Sequence, residues 1–339
     1  MSNKAQKSLF EVFVRPAGDG AVEIVWTGGR PGLIVTIFGG PSPDRIDTAS
    51  PLAEIKEADL ARIEGLALEK RTYFLVSPQG GPGVIAAARG LSLAGTFNFR
   101  DLGGYRTLND RRIKWGRVFR SDSLARLTEA GQTFLRNLEL KLVLDLRSST
   151  EVQKSPDLLP PGGPRYVNLP VQTSELNFVT AMERFKKGDL SWLTPDFMIR
   201  GYLRNVEECP GVWAEALRLA AEPQNQPLVF HCTGGKDRAG TLAALLLLVL
   251  GVPEETVVQD HQLTNELIGD LLAKVDKYLL SLGIDPELAR PYFTAPRDCI
   301  TALLGHLQAK YGTVENYLTD KAGLDPETLT KLKDELLES

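Results

Sequence analysis

Between residues 9 and 88, apolar positions come in short alternating or β-branched runs, at 11–14, 22–26, 33–38, 73–76 and 84–86. Glycine and proline clusters at 28–32, 39–41 and 80–83 separate them. Runs of this length between such turns predict strands, and their spacing predicts a small antiparallel β-sandwich over residues 1–90 with Trp26 and Tyr73 in its core. After residue 91 the pattern changes. Apolar runs at 118–119, 142–146, 166–169 and 228–230 alternate with longer stretches of helical spacing, and residues 242–250 are apolar throughout. Alternation of this kind predicts an α/β domain over residues 91–339, a central, mainly parallel sheet flanked by helices, with 242–250 as a core helix. Ligands of such sheets gather at the carboxyl ends of the strands. Residues 156–164, rich in proline and glycine, read as a connection within this domain. Residues 172–207, with Met182, Phe185, Trp192, Phe197 and Tyr202 at helical spacing, are either a lid or an inserted helical pair.

The strand at 228–230 and the helix at 242–250 bracket the run His231-Cys232-Thr233-Gly234-Gly235-Lys236-Asp237-Arg238-Ala239-Gly240. In a glycine-containing loop that opens a helix, successive N–H groups converge and the helix adds its positive end, which together make a phosphate site. The field that holds an anion also favours a thiolate at the loop's start, so Cys232 is the candidate nucleophile. Arg238 can return to the mouth and set its planar fork on phosphate oxygens during transfer. A thiolate on phosphorus gives a cysteinyl-phosphate that water then removes, and Asp237 is the nearest carboxyl to protonate the leaving oxygen. Thr233, Gly234, Gly235, Lys236, Ala239 and Gly240 are the candidate phosphate-binding residues, with Lys236 placing a second positive charge at the rim for a substrate with more than one acidic group. Trp192-Leu193-Thr194-Pro195-Asp196 offers Asp196 as a rival acid, although Thr-Pro-Asp before apolar residues is also how a helix starts.

The whole string resembles the phosphate loop of the cysteine-dependent phosphatases, and more narrowly the bacterial tyrosine and lipid phosphatase family, whose loop reads His-Cys-x-x-Gly-Lys-Asp-Arg-Thr-Gly. Asn98-Phe99-Arg100-Asp101-Leu102-Gly103-Gly104, the strand ending Leu144-Asp145-Leu146-Arg147, and Tyr311-Gly312-Thr313-Val314 near the end resemble further blocks of that family. The likeness spans roughly residues 91–339. It implies a phosphomonoester hydrolase of the protein-tyrosine or dual-specificity type acting on phosphotyrosine proteins, phosphoinositides or small phosphorylated molecules, with Asp237 as the acid. Two positions depart from it. Ala239 replaces the usual threonine or serine, whose hydroxyl helps the sulfur leave, so the second step should be slow; Gly234 stands where alanine is common. Within the resemblance Arg100 and Asp101 read as a network holding the loop or as direct substrate ligands, His231 as a positioner of the cysteine backbone, and Arg147 as either a substrate contact or a partner of Glu151. Two other functions fit the loop alone: a phosphate-binding module with little turnover, and a rhodanese-type sulfurtransferase. The first ninety residues loosely resemble a fibronectin type III module of unreadable role.

Composition changes little. At 339 residues, 43% hydrophobic and 24% charged, the chain has the make-up of an ordinary globular protein of two domains, and a net charge of −4 argues against a nucleic-acid partner or a general binder of anionic membranes. No apolar run reaches the length of a membrane span, and residues 1–7 lead into the first strand without a secretion signal's apolar core. Three cysteines, Cys209, Cys232 and Cys299, suggest no disulfide framework, so a cytoplasmic, reducing compartment is expected. His261 and His306 are too isolated to suggest metal ligation, and the chemistry requires neither metal nor cofactor.

Overall fold

The structure, a computed structural model, describes residues 10–18, 20–28, 32–67, 70–173, 178–194 and 196–338. The polar start at 1–7, residues 29–31 of the first glycine cluster and Pro195 of the rival acid motif lie outside the described residues. The chain divides between Leu91 and Ser92 into two compact units.

The first unit holds strands β1 (Glu11–Pro16), β2 (Val22–Thr27), β3 (Ile34–Gly40), β4 (Ala53–Lys56), β5 (Leu60–Ile63), β6 (Tyr73–Pro78) and β7 (Val84–Ala87). They pair antiparallel in two sheets, β1-β2-β5 and β4-β3-β6-β7. Side chains two apart on a strand share a face, and Ile24 with Trp26, Val35 with Ile37, Ala61 with Ile63 and Phe74 with Val76 meet in one buried cluster. Tyr73 is buried outside that cluster, with the Arg71 guanidinium 4.5 Å from its ring centroid. The short, charge-bearing strands β4 and β5 escape the hydrophobic pattern because only every second of their four residues faces inward.

In the second unit, β8 (Arg100–Asp101), β9 (Val118–Ser121), β10 (Leu142–Asp145), β11 (Arg165–Asn168) and β12 (Leu228–His231) form a sheet in the order β11-β10-β12-β9-β8. The first four in that order run parallel, and the two-residue β8 pairs antiparallel with β9. Every residue of β9, β10 and β12 is buried, as expected of parallel strands covered on both faces. Asp145 pairs with His231, and His231 with Ser121, so three strands end side by side where the cysteine loop leaves β12.

The helices are α1 (Glu129–Asn137), α2 (Ser149–Lys154), α3 (Phe178–Lys186), α4 (Phe197–Glu208), α5 (Pro210–Ala221), α6 (Arg238–Val249), α7 (Glu254–Leu267), α8 (Gly269–Ser281), α9 (Pro286–Phe293), α10 (Arg297–Tyr311), α11 (Val314–Asn316) and α12 (Pro326–Leu336). Apolar nearly all round, α6 is buried in the main core. Residues 172–207 contribute α3 and α4, and α4 sends Tyr202 and Val206 into that same core. A satellite cluster joins Phe185 of α3, Trp192, Phe197, Leu279 of α8 and Ala289 of α9, with the Trp192 ring 4.8 Å from that of Phe197. No helix among the described residues is long and apolar enough to cross a membrane.

Candidate active site

The loop from Cys232 to Asp237 is shaped from behind. Four of its carbonyls have a donor behind the loop: Ser123 N reaches Thr233 O at 3.1 Å, Asn98 Nδ2 reaches Gly234 O at 3.0 Å, and Arg120 Nη2 reaches Gly235 O at 2.7 Å and Lys236 O at 3.4 Å. Because each peptide is planar with its N–H opposite its C=O, the N–H groups of residues 234–237 turn the other way, into the cleft. Only glycine fits at 235, whose φ is +70° and where a Cβ would lie 2.6 Å from the Ser121 carbonyl oxygen. At Gly234 a Cβ would meet only Lys236 Cγ, at 3.6 Å, so the alanine common in the resembling family would fit.

The donors behind the loop belong to a buried ion cluster. Arg100 and Arg120 converge on Asp260, at 3.2 Å and 2.6 Å, and Tyr105 adds its hydroxyl at 2.9 Å. Burial, then Arg120, lowers the Arg100 pKa to about 10. Asp101 caps the backbone N–H groups of Gly103 and Gly116, each at 2.7 Å. All four charged side chains are fully enclosed, and Arg120 among them hydrogen-bonds the loop directly. His231 is enclosed as well: its Nδ1 lies 3.3 Å from Cys232 O and its Nε2 lies 2.9 Å from Asp157 Oδ2, an ion-pair contact without hydrogen-bond alignment. Asp145, Asp157 and His231 bring potential metal ligands within 4.8 Å of one another, but the Arg147 guanidinium already lies on both carboxylates, at 2.7 and 2.8 Å.

Arg147 therefore pairs with Asp145 and Asp157, which corrects the sequence expectation of a Glu151 pair. Glu151 has another partner. Its two oxygens accept from Arg238 Nη1 and Nη2 at 2.7 and 2.8 Å, and Thr233 Oγ1 also donates to it. Glu151 reaches this point because Ser148 caps α2 in a reciprocal box, with Ser148 N donating to Glu151 Oε2 at 2.9 Å. Burial opposes the Glu151 charge, yet the Arg238 hydrogen bonds outweigh it and hold the carboxyl at about 2. Burial likewise opposes the Arg238 charge, and Glu151 with the nearby Cys232 raises its pKa. Nothing local in the sequence marks this pair, since 87 residues separate its members.

Cys232, Thr233, Gly234, Lys236, Asp237 and Arg238 line one cleft of about 260 Å³, beneath apolar side chains that include Phe197, Met198, Leu271, Tyr292 and Phe293. Asp237, at the N-terminal end of α6, keeps about a third of its side chain exposed, and its enclosed Oδ1 lies 3.5 Å from the Lys236 ammonium. Tyr202 also lines the cleft and hydrogen-bonds His261 Nε2 at 2.7 Å. Burial, then Arg120 and Arg100, lowers the His261 pKa to about 3. Ala239 and Gly240 lie in the first turn of α6, Ala239 fully buried, and Gly235 backs against Ser121 and Asp122. Lys236 is no free rim charge, since its ammonium donates to the carbonyls of Tyr292 and of Thr294, the latter at 2.9 Å. Asp196 is the exposed residue before α4 and lies outside the cleft lining.

Residues 91–338 match the tyrosine phosphatase family. A protein of Cupriavidus necator named as a tyrosine-protein phosphatase is 30% identical over 67% of this chain and 82% of its own length. The triple specificity protein phosphatase PtpB of Mycobacterium tuberculosis is 28% identical over 72% of this chain and 98% of its own. A tyrosine-protein phosphatase of Nostoc commune is 32% identical over 43% of this chain and 47% of its own. Among solved structures, the core catalytic domain of the PP-IP phosphatase SIW14 from S. cerevisiae aligns at 15% identity with a TM-score of 0.26, over 43% of this chain and 70% of that one.

Proposed function

The chain belongs to the tyrosine phosphatase family and is an enzyme of the protein-tyrosine and dual-specificity type, a phosphoric monoester hydrolase; from that premise we propose that it works through a cysteinyl-phosphate on Cys232. What supports this reading is the convergence of Cys232, Asp237 and Arg238 on one cleft whose floor is made of inward-turned N–H groups. In the first step the Cys232 sulfur attacks phosphorus while the ester P–O bond breaks, and Asp237 gives its proton to the leaving oxygen. Glu151 holds the Nη1–Nη2 edge of Arg238, which leaves the Nε edge to bear on phosphoryl oxygens as charge spreads over them. In the second step water attacks phosphorus, Asp237 takes its proton, and the S–P bond breaks to return the thiolate and release phosphate.

The apolar cleft walls favour an aromatic ester, so phosphotyrosine proteins are the proposed substrates. Phosphoinositides and small phosphorylated molecules stay within the same reading, as further phosphomonoesters that the loop could hold. We read residues 91–339 as the catalytic domain and residues 1–90 as a fibronectin-like β-sandwich with no part in the chemistry. All three cysteines are free and buried, which suits the cytoplasm. Hydrolysis of p-nitrophenyl phosphate tests the proposal: Cys232→Ser should lose turnover by a factor of about 10³ or more while still binding a phosphotyrosine peptide. On aryl phosphates with poor leaving groups, Asp237→Asn should lose far more rate than Asp196→Asn. Retained turnover by Cys232→Ser sinks the mechanism.

A further inference from the structure

A second cavity, of about 290 Å³, adjoins the catalytic cleft and shares Arg126, Glu151 and Thr233 with it. The two therefore meet at the residue that follows the nucleophile. Lys154 of α2 and Lys186 of α3 supply much of the remaining wall.

Among the described residues, the exposed charged side chains lining this cavity are Arg126, Lys154, Lys186 and Glu183. Buried carboxylates nearby are already matched: Glu151 by Arg238 at 2.7 Å, Asp145 and Asp157 by Arg147, and Asp122 by Arg126 at 2.8 Å together with the backbone N–H groups of Phe97 and Asn98, each at 3.0 Å. Arg126 uses only Nη2 on Asp122, and half of its side chain stays exposed. Lys154 has one acidic neighbour, Glu183, at 3.7 Å, and both side chains are more than half exposed, so that pair contributes little. Lys186 makes no ion pair among the described residues. Arg126 is thus matched by Asp122 and Lys154 stands near Glu183, which leaves Lys186 as the exposed cation of this wall without an ion pair among the described residues. Lys236, the cation in the loop itself, is held away by the carbonyls of Tyr292 and Thr294.

We propose that this cavity is a subsite for a second anionic group of the substrate, the carboxylate or phosphate of a residue next to the phosphotyrosine in an acidic protein segment. The proposal rests on the phosphatase reading and narrows its substrate class. A phosphoprotein is favoured over a lipid because the main cleft is walled by apolar and aromatic side chains suited to a phenyl ring, while the cationic wall stands beside it in reach of a flanking side chain. Each exposed cation is worth about two- to fivefold in affinity, an effect that salt screens.

The test compares two phosphotyrosine peptides, one flanked by glutamates and one by alanines, on the parent and on the double variant Lys154→Ala/Lys186→Ala. The parent should prefer the acidic peptide in kcat/KM, and the double variant should shrink that ratio about tenfold, through KM rather than kcat, with the difference fading as salt rises. Equal treatment of the two peptides by the parent, or equal loss on both in the variant, overturns the subsite. Loss confined to phosphoinositide vesicles overturns the phosphoprotein assignment. Should the parent fail to hydrolyse p-nitrophenyl phosphate, the phosphatase reading fails separately, and fluorescence anisotropy of the same peptides on the Cys232→Ser background, with and without the two lysines, still decides the subsite.

Discussion

At the scale of single residues the site turns on Glu151, whose carboxylate does two jobs at once. It completes the N-terminal cap of α2 and fixes the guanidinium that the proposed mechanism sets on the phosphoryl group. Glu151→Gln keeps the shape and removes the charge, leaving Arg238 enclosed without its counter-ion. Stability should fall by about 3 kcal/mol, the range for breaking a buried pair, and kcat by about tenfold or more as the fork loses its fixed direction. Thermal melts and p-nitrophenyl phosphate kinetics measure the two effects; a variant with normal kcat would mean that the pair is structural alone. The Ser148-x-x-Glu151 spacing is legible as a cap in the sequence. Its second partner is not, because a guanidinium arriving from a distant segment leaves no local trace.

At the scale of elements, the strand, loop and helix around Cys232 are contiguous, and a contiguous motif carries its own geometry. β12 ends, Gly235 turns with positive φ, and α6 begins at Arg238. What the local pattern overstates is Lys236 as a free rim charge, since two carbonyls hold its ammonium. Ala239 stands where the resembling family carries threonine or serine, and its side chain is buried in the same core cluster as Cys232. Ala239→Thr should accelerate breakdown of the cysteinyl-phosphate by about tenfold, by supplying a hydrogen-bond donor to the leaving sulfur. It should also lower the melting temperature, since extra atoms in a close-packed core cost about 1–3 kcal/mol. Single-turnover hydrolysis with a good leaving group reads the first effect, and an unchanged rate contradicts it. Strands β4, β5 and β8 show the opposite failure: they are too short, or too polar, for their spacing to announce them.

At the scale of the molecule, burial of charge makes stability depend on pH. His261 faces Arg100, Arg120, Asp260 and Lys236, and its folded value of about 3 lies below the ordinary 6.5. The unfolded chain therefore takes up a proton first as pH falls, so this contribution is whole above 6.5 and is lost progressively from there towards 3. His231 acts in the other direction: burial opposes its charge, Asp157 and Asp145 outweigh that, and its raised value adds stability that fades as pH rises through it. Melting temperatures from pH 7 to pH 5 should therefore respond to His261→Gln, which removes the first contribution and flattens the acid side of the profile; an identical slope would rule it out. The sequence alone determined the contiguous strand, loop and helix around Cys232, the alternation that builds an α/β sheet and the antiparallel pattern ahead of it, because each depends on neighbours along the chain. Tertiary structure decided which side chains serve that loop, since Asn98, Arg120, Glu151 and Asp260 come from four separate segments and meet only after the sheet closes. Lys236 and Arg147 took partners that spacing could not foretell, because a buried charge is settled by whichever groups the packed interior brings within reach.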